Sequence, residues 1–196
     1  MTSKLELVRK RGSVRDRLIV ALDVDSLEQA KQLVQLLAGE VGMFKIGKQL
    51  FTHAGPQAVQ LIQRLGGEIF LDLKFHDIPN TVAKAAIEAT RLGVKMFNVH
   101  ASGSLEMMRA TVKEVRRICR QEKRRQPIML AVTVLTSLNQ DDLKRVGVDG
   151  KVADQVVRLA LLTKEAGMDG VVASPHEVTD IRSACGRRFI IVTPGI

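Results

Sequence analysis

The sequence predicts an α/β protein of the (β/α)8 TIM-barrel class, ending after the seventh strand. Three observations carry this. Seven short, β-rich apolar runs alternate with helical patterns, the order of parallel strands joined by crossover helices. Most strand–helix units run about 25–30 residues, the usual length of such a unit. Polar residues gather where the strands end: Asp23, Lys45, Asp72 with Lys74, His100, Thr136 and Thr193. In a closed barrel these ends meet at one mouth, where active sites lie. An open, doubly wound sheet competes with the barrel. However, Asp23-Val24-Asp25-Ser26 stands where a dinucleotide-binding sheet carries its glycine fingerprint.

The predicted strands are residues 18–24, 43–46, 69–73, 96–100, 128–135, 170–173 and 189–192. Nearly all are apolar throughout, as burial on both faces requires. Ser26-Leu27-Glu28-Gln29 is a capping box that opens the first helix, with Leu27, Ala30, Leu33, Val34 and Leu37 along one side. Pro56 opens the second, which Gly66-Gly67 closes; Pro79 opens the third, which ends at Gly93. Further helices are predicted over 104–120 and 152–166. Ser174-Pro175-His176-Glu177 joins an N-cap, a proline at the first helical position and a capping Glu. The stretch 137–150 is polar and glycine-punctuated, far longer than the roughly 2–6 residues usual between strand and helix. It predicts an active-site lid, the alternative being a surface insertion with one helical turn.

Residues 1–17 read as a basic surface extension and residues 18–196 as a single barrel domain. Such barrels typically take about 250 residues, so the last helix and the eighth strand are expected to lie outside this sequence.

Composition narrows the function. No apolar run reaches the roughly 18 residues of a membrane span. The N-terminus is basic but lacks the apolar centre of a secretory signal. Cys119 and Cys185 fit no metal or redox spacing. Cys119 shares an apolar helix side with Val112, Val115 and Ile118, and the pattern suits a reducing cytoplasm. The formal charge is +9, with the densest basic stretch at 116–125. That stretch reads as a solvated helix end, where cations suit the dipole, rather than a phosphate-backbone patch. There is no Trp, no Tyr and only six Phe, which removes most of the stacking surface of single-strand binders. No nucleic-acid or membrane partner is expected.

The chemistry concentrates in Asp72-Leu73-Lys74-Phe75-His76-Asp77-Ile78-Pro79-Asn80-Thr81. On a regular strand Asp72 and Lys74 point to one face and Leu71 and Leu73 to the other. Burying such charges is costly unless they pair. Asp77 adds a second carboxylate three residues after the Lys, and opposite charges nearby favour an ammonium. Taken alone, Asp77 would be a helix N-cap before Pro79, and His76 and His100 structural.

This segment resembles the signature of the bacterial-type orotidine 5′-phosphate decarboxylase family. Supporting blocks fall in family order: Val20-Ala21-Leu22-Asp23, Lys45-Ile46-Gly47-Lys48, Asn98-Val99-His100-Ala101-Ser102, Val132-Thr133-Val134-Leu135-Thr136-Ser137 and Val192-Thr193-Pro194-Gly195-Ile196. The resemblance spans residues 18–196. It implies decarboxylation of orotidine 5′-monophosphate to UMP and CO2, the last step of de novo UMP synthesis, without cofactor or metal. It further implies Lys74, Asp72 and Asp77 as the catalytic residues. Substrate would be bound by Asp23 and Lys45 at the ribose and by Asp72, Asp77, Ile78, Thr81, Thr136 and Pro194. Asp77 and Thr81 would serve the neighbouring subunit's site in a homodimer. Groups gripping the phosphate would follow Ile196. Whether Asp72 repels the substrate carboxylate or positions Lys74 stays open. Two alternatives remain: a metal-dependent 3-keto-hexulose-phosphate decarboxylase or synthase of the same barrel type, and an inactive fragment acting as a scaffold.

Overall fold

The computed structural model describes residues 14–195. They form two compact units, 14–73 and 74–195. Residues 1–13 of the predicted extension and Ile196 of the last block lie outside the described residues.

The first unit opens with a 3-10 turn, Val14–Arg17, and continues as β1 (Ile19–Ala21), α1 (Leu27–Leu37), β2 (Met43–Gly47), α2 (Lys48–Ala54), α3 (Pro56–Arg64) and most of β3 (Ile69–Phe75). The strands are parallel: Ala21 pairs with Lys45, and Gly47 with Asp72. Ser26 caps α1, its Oγ accepting the Gln29 N–H at 3.2 Å, while the Gln29 side chain takes the Asp25 N–H at 3.0 Å. The core is apolar, with Leu22, Phe44, Ile46, Ile62, Ile69 and Leu71 at most 2 % exposed.

In two places the first unit departs from expectation by more than a residue. The first strand is shorter than 18–24; after Ala21 only the Leu22 N–H extends the ladder, to Lys45 O at 2.9 Å. Asp23 therefore stands on a loop. The helix predicted from Pro56 is preceded by α2, and Gly55 makes the break at φ 54°, a left-handed conformation that suits glycine.

The second unit carries the end of β3, then α4 (Pro79–Arg91), β4 (Met96–His100), α5 (Leu105–Gln121), β5 (Ile128–Val132), α6 (Gln140–Arg145), α7 (Val152–Glu165), β6 (Gly170–Val172), α8 (Val178–Cys185) and β7 (Ile190–Val192). Successive strands from β4 to β7 pair in parallel. Helix α4 buries Ala83, Ala86 and Ala89, small side chains that let it lie close against α5. Helix α5 buries Met107, Met108, Val112, Val115 and Ile118.

Strand β5 stops at Val132, not at 135, and Leu135 and Thr136 lie exposed beyond it. The 137–150 stretch contains α6, capped by a reciprocal Asn139–Asp142 box. Its base is tied down by Gln140, whose amide donates to Gly150 O and accepts the Val152 N–H. Ser174 and Glu177 form the predicted capping box, over a 3-10 turn that leads into α8.

Both cysteines are buried free thiols. The basic end of α5 is laced by ion pairs, Glu122 joining Arg91 at 2.8 Å and Arg124 at 2.6 Å. Among the described residues no helix is long and apolar enough to cross a membrane.

Candidate functional site

In the first unit, β1 and β2 deliver Asp23 and Lys45, and β3 delivers Asp72. The Lys45 Nζ lies 3.1 Å from Asp23 Oδ1 and 3.6 Å from Asp72 Oδ2. The carboxylates differ sharply in surroundings: the Asp72 side chain is 12 % exposed and that of Asp23 is 65 % exposed. One ammonium thus bridges a buried and a solvated carboxylate. The buried one needs this partner, because a lone buried charge is costly. Gly47 leaves room for the bridge. A Cβ there would sit 3.3 Å from both Asp23 Oδ1 and Lys45 Nζ. An open groove of about 570 Å3 flanks Asp23 on its α1 side, lined by Asp25, Gln29, Leu33 and Leu36 among others.

In the second unit, the end of β3 carries Lys74, half-buried, with φ at 53°. A left-handed residue breaks the two-residue alternation, so the same-face rule for Asp72 and Lys74 does not hold through this point. The Lys74 backbone N–H donates to Asn98 Oδ1 on β4 at 2.9 Å. Phe75 lies edge-tilted against Phe97, ring centroids 6.2 Å apart, and His76 against His100 at 5.2 Å.

Asp77 does not cap α4. The N-cap is Ile78, without a side-chain cap bond, and Asp77 Oδ1 instead accepts the Ile78 N–H at 2.6 Å. Asp77, Ile78 and Thr81 all face solvent, and Ile78 is 66 % exposed. Thr136 and Pro194 are exposed on the loops that follow β5 and β7.

The structure thus brings Asp23, Lys45 and Asp72 into one array and places Lys74 and Asp77 on the segment that follows. Reading the sequence left Gly47 and Asn98 without a role. The signal for Asn98 was a polar residue inside the otherwise apolar Met96-Phe97-Asn98-Val99. Among the described residues no three His, Cys, Asp or Glu side chains are grouped to hold a metal.

Comparison with known proteins points to one family. The family model described as "Orotidine 5'-phosphate decarboxylase / HUMPS family" matches residues 16–196. A relative from Syntrophotalea carbinolica named orotidine 5′-phosphate decarboxylase is 58 % identical over 182 residues, 93 % of this chain and 75 % of its own. A relative of the same name from Moorella thermoacetica is 51 % identical over 192 residues, 97 % of this chain and 75 % of its own. The crystal structure of orotidine 5′-phosphate decarboxylase from Lactobacillus acidophilus superposes with a TM-score of 0.84 at 38 % identity, covering 91 % of this chain and 80 % of that one. The α/β class read from the sequence, a (β/α)8 barrel represented through its seventh strand, stands with these matches.

Proposed function

Because this chain belongs to the orotidine 5′-phosphate decarboxylase / HUMPS family, we infer that it is a carboxy-lyase that converts orotidine 5′-monophosphate to UMP and CO2 in pyrimidine biosynthesis. The observation that carries the reading is the bridged array Asp23–Lys45–Asp72, followed two residues on by Lys74.

The chemistry asks for fixed charge. When the C6–carboxylate bond breaks, its electron pair stays on C6 and CO2 departs. No ring carbonyl is placed to take that pair as a simple enolate, so stabilisation must come from charge fixed near C6. The Lys74 ammonium supplies it and then transfers its proton to C6, giving UMP; the neutral amine regains a proton from solvent. Asp72, buried and held by Lys45, keeps a negative charge beside the reacting group. Asp23 and Lys45 bind the ribose hydroxyls, while Thr136 and Pro194 contact the substrate from the loops after β5 and β7.

Asp77 and Thr81 serve the site of a second copy in a homodimer. The support is their exposure, together with that of Ile78, a large apolar side chain that follows Asp77 and is left facing solvent. The protein acts in the cytoplasm. The metal-dependent alternative is disfavoured because Lys45 already neutralises the carboxylates on which a cation would draw.

The test is a spectrophotometric assay on orotidine 5′-monophosphate with Lys74→Ala and Asp77→Ala, singly and mixed. Each variant alone should be nearly inactive. Their mixture should regain about a quarter of wild-type activity, because random pairing makes half the dimers mixed and each mixed dimer has one intact site of two. Near-wild-type turnover by Lys74→Ala would overturn the proposed chemistry. A mixture no more active than its components would overturn the shared site.

A further inference from the structure

Among the described residues three that are not glycine have positive φ: Lys74 at 53°, Ser104 at 97° and Lys123 at 51°. Two have local explanations. Ser104 is the N-cap of α5, where its Oγ accepts the Met107 N–H at 3.2 Å. Lys123 lies just past the end of α5, where the Arg124 N–H turns back to Cys119 O at 2.9 Å; helices commonly end through such a left-handed residue. Lys74 has neither setting. It sits inside a strand, and a long side chain is rarely left-handed there unless its surroundings hold it.

What holds it is on the neighbouring element. Asn98 is fully buried at the centre of β4, between Phe97 and Val99, both also fully buried. A buried amide in such a place is unfavourable unless its groups are hydrogen-bonded. Its Oδ1 accepts the Lys74 N–H at 2.9 Å. In a regular parallel ladder a backbone carbonyl would take that N–H. Here a side chain does, so the peptide before Lys74 is pinned while the strand geometry at Lys74 is broken. Phe75, the next residue, is braced against Phe97, the residue before Asn98, at 6.2 Å. The backbone is thus fixed on both sides of the Lys74 Cα by two consecutive residues of β4.

We propose that Asn98 is a positioning residue: by accepting the Lys74 N–H it holds Lys74 left-handed and so aims the ammonium at the carbon that must be protonated. This rests on the reading of Lys74 as the proton donor. Asn98 need not touch substrate. Its effect should therefore fall on the chemical step and leave ground-state binding alone.

The experiment compares Asn98→Leu, which keeps the bulk and loses the acceptor, with Asn98→Asp, which keeps an acceptor oxygen, alongside Lys74→Ala. Rates are referred to the folded fraction measured by thermal unfolding, and UMP affinity is measured separately. Asn98→Leu should lower kcat about 100-fold, the scale expected of a misplacement near 1 Å, with KM and UMP affinity within about threefold of wild type. Asn98→Asp should recover at least part of that loss. A merely structural role would instead lower the folded fraction or raise KM, with kcat per folded molecule unchanged. The proposal fails if Asn98→Leu, corrected for folded fraction, keeps wild-type kcat while Lys74→Ala is inactive. If Lys74→Ala is itself active, the reading of Lys74 fails first. Should Asn98→Leu not fold, Asn98→Ala, which also lacks the acceptor, decides: a kcat loss of the same 100-fold scale supports the acceptor role, and wild-type kcat per folded molecule overturns it.

Discussion

Lys45 touches two carboxylates, and the structure says they are not equal partners. At 3.6 Å from Asp72, Coulomb's law gives about 4.6 kcal/mol at an effective dielectric of ~20 and about 1.2 kcal/mol in bulk water. With the Lys45 side chain 22 % and the Asp72 side chain 12 % exposed, the pair lies between these limits. After screening and the entropy of holding the chains, a coupling of about 1.5–3 kcal/mol is expected. Asp23 is closer, at 3.1 Å, but its side chain is 65 % exposed. That pair belongs with surface ion pairs, at about 0.5 kcal/mol. The shorter contact should thus be the weaker. The assay is a pair of double-mutant cycles in urea unfolding, with Lys45→Met, Asp72→Asn and Asp23→Asn. A cycle isolates the pair because Asp72's other contacts cancel. Added salt should erode the Asp23 coupling and spare that to Asp72. A coupling to Asp23 as large as that to Asp72, or one to Asp72 below about 0.5 kcal/mol, would refute the argument that burial decides.

Two further outcomes follow from the same geometry. Gly47→Ala puts a methyl 3.3 Å from both Asp23 Oδ1 and Lys45 Nζ at an unstrained φ of −85°; it should raise KM for orotidine 5′-monophosphate several-fold with an unfolding midpoint close to wild type, and an unchanged KM would count against Gly47 as the spacer of the bridge. Arg91, then Arg124, hold the Glu122 carboxyl below its ordinary range, so the stabilisation it brings is present above the unfolded carboxylate's pKa and is lost as pH falls through the depressed folded value; Glu122→Gln should therefore unfold slightly earlier than wild type at pH 7 and together with it once the pH lies below that depressed value, and a gap that does not close on acidification would contradict the sign.

Much of the molecule is written in local chemistry. The strands are legible because burial on both faces demands continuous apolar runs, as in Ile69-Phe70-Leu71. The caps are legible because Ser26 and Ser174 satisfy helix N–H groups within three residues of themselves. Strand ends are less legible, because pairing and not composition sets them: Leu135 and Thr136 look like strand residues but lie past Val132, the last residue of β5. The left-handed Lys74 has no signature at all. Nothing in a lysine's own chemistry favours that conformation, and the group that holds it is 24 residues away.

The array itself falls between these cases. Asp23, Lys45 and Asp72 are visible as polar residues near strand ends, but their meeting depends on register. Lys45 pairs with Phe70, not with Asp72; the residue opposite Asp72 is Gly47. Lys45 and Gly47 are two apart and share a strand face. The lysine must reach one step along the strand to Asp72, and it can do so because Gly47 has no side chain in the way. A slip of one residue would turn Lys45 to the opposite face and leave Asp72 buried without this partner. The Lys45–Asp72 pair therefore reports the β2–β3 register, and Gly47 is the residue that turns the register into an ion pair.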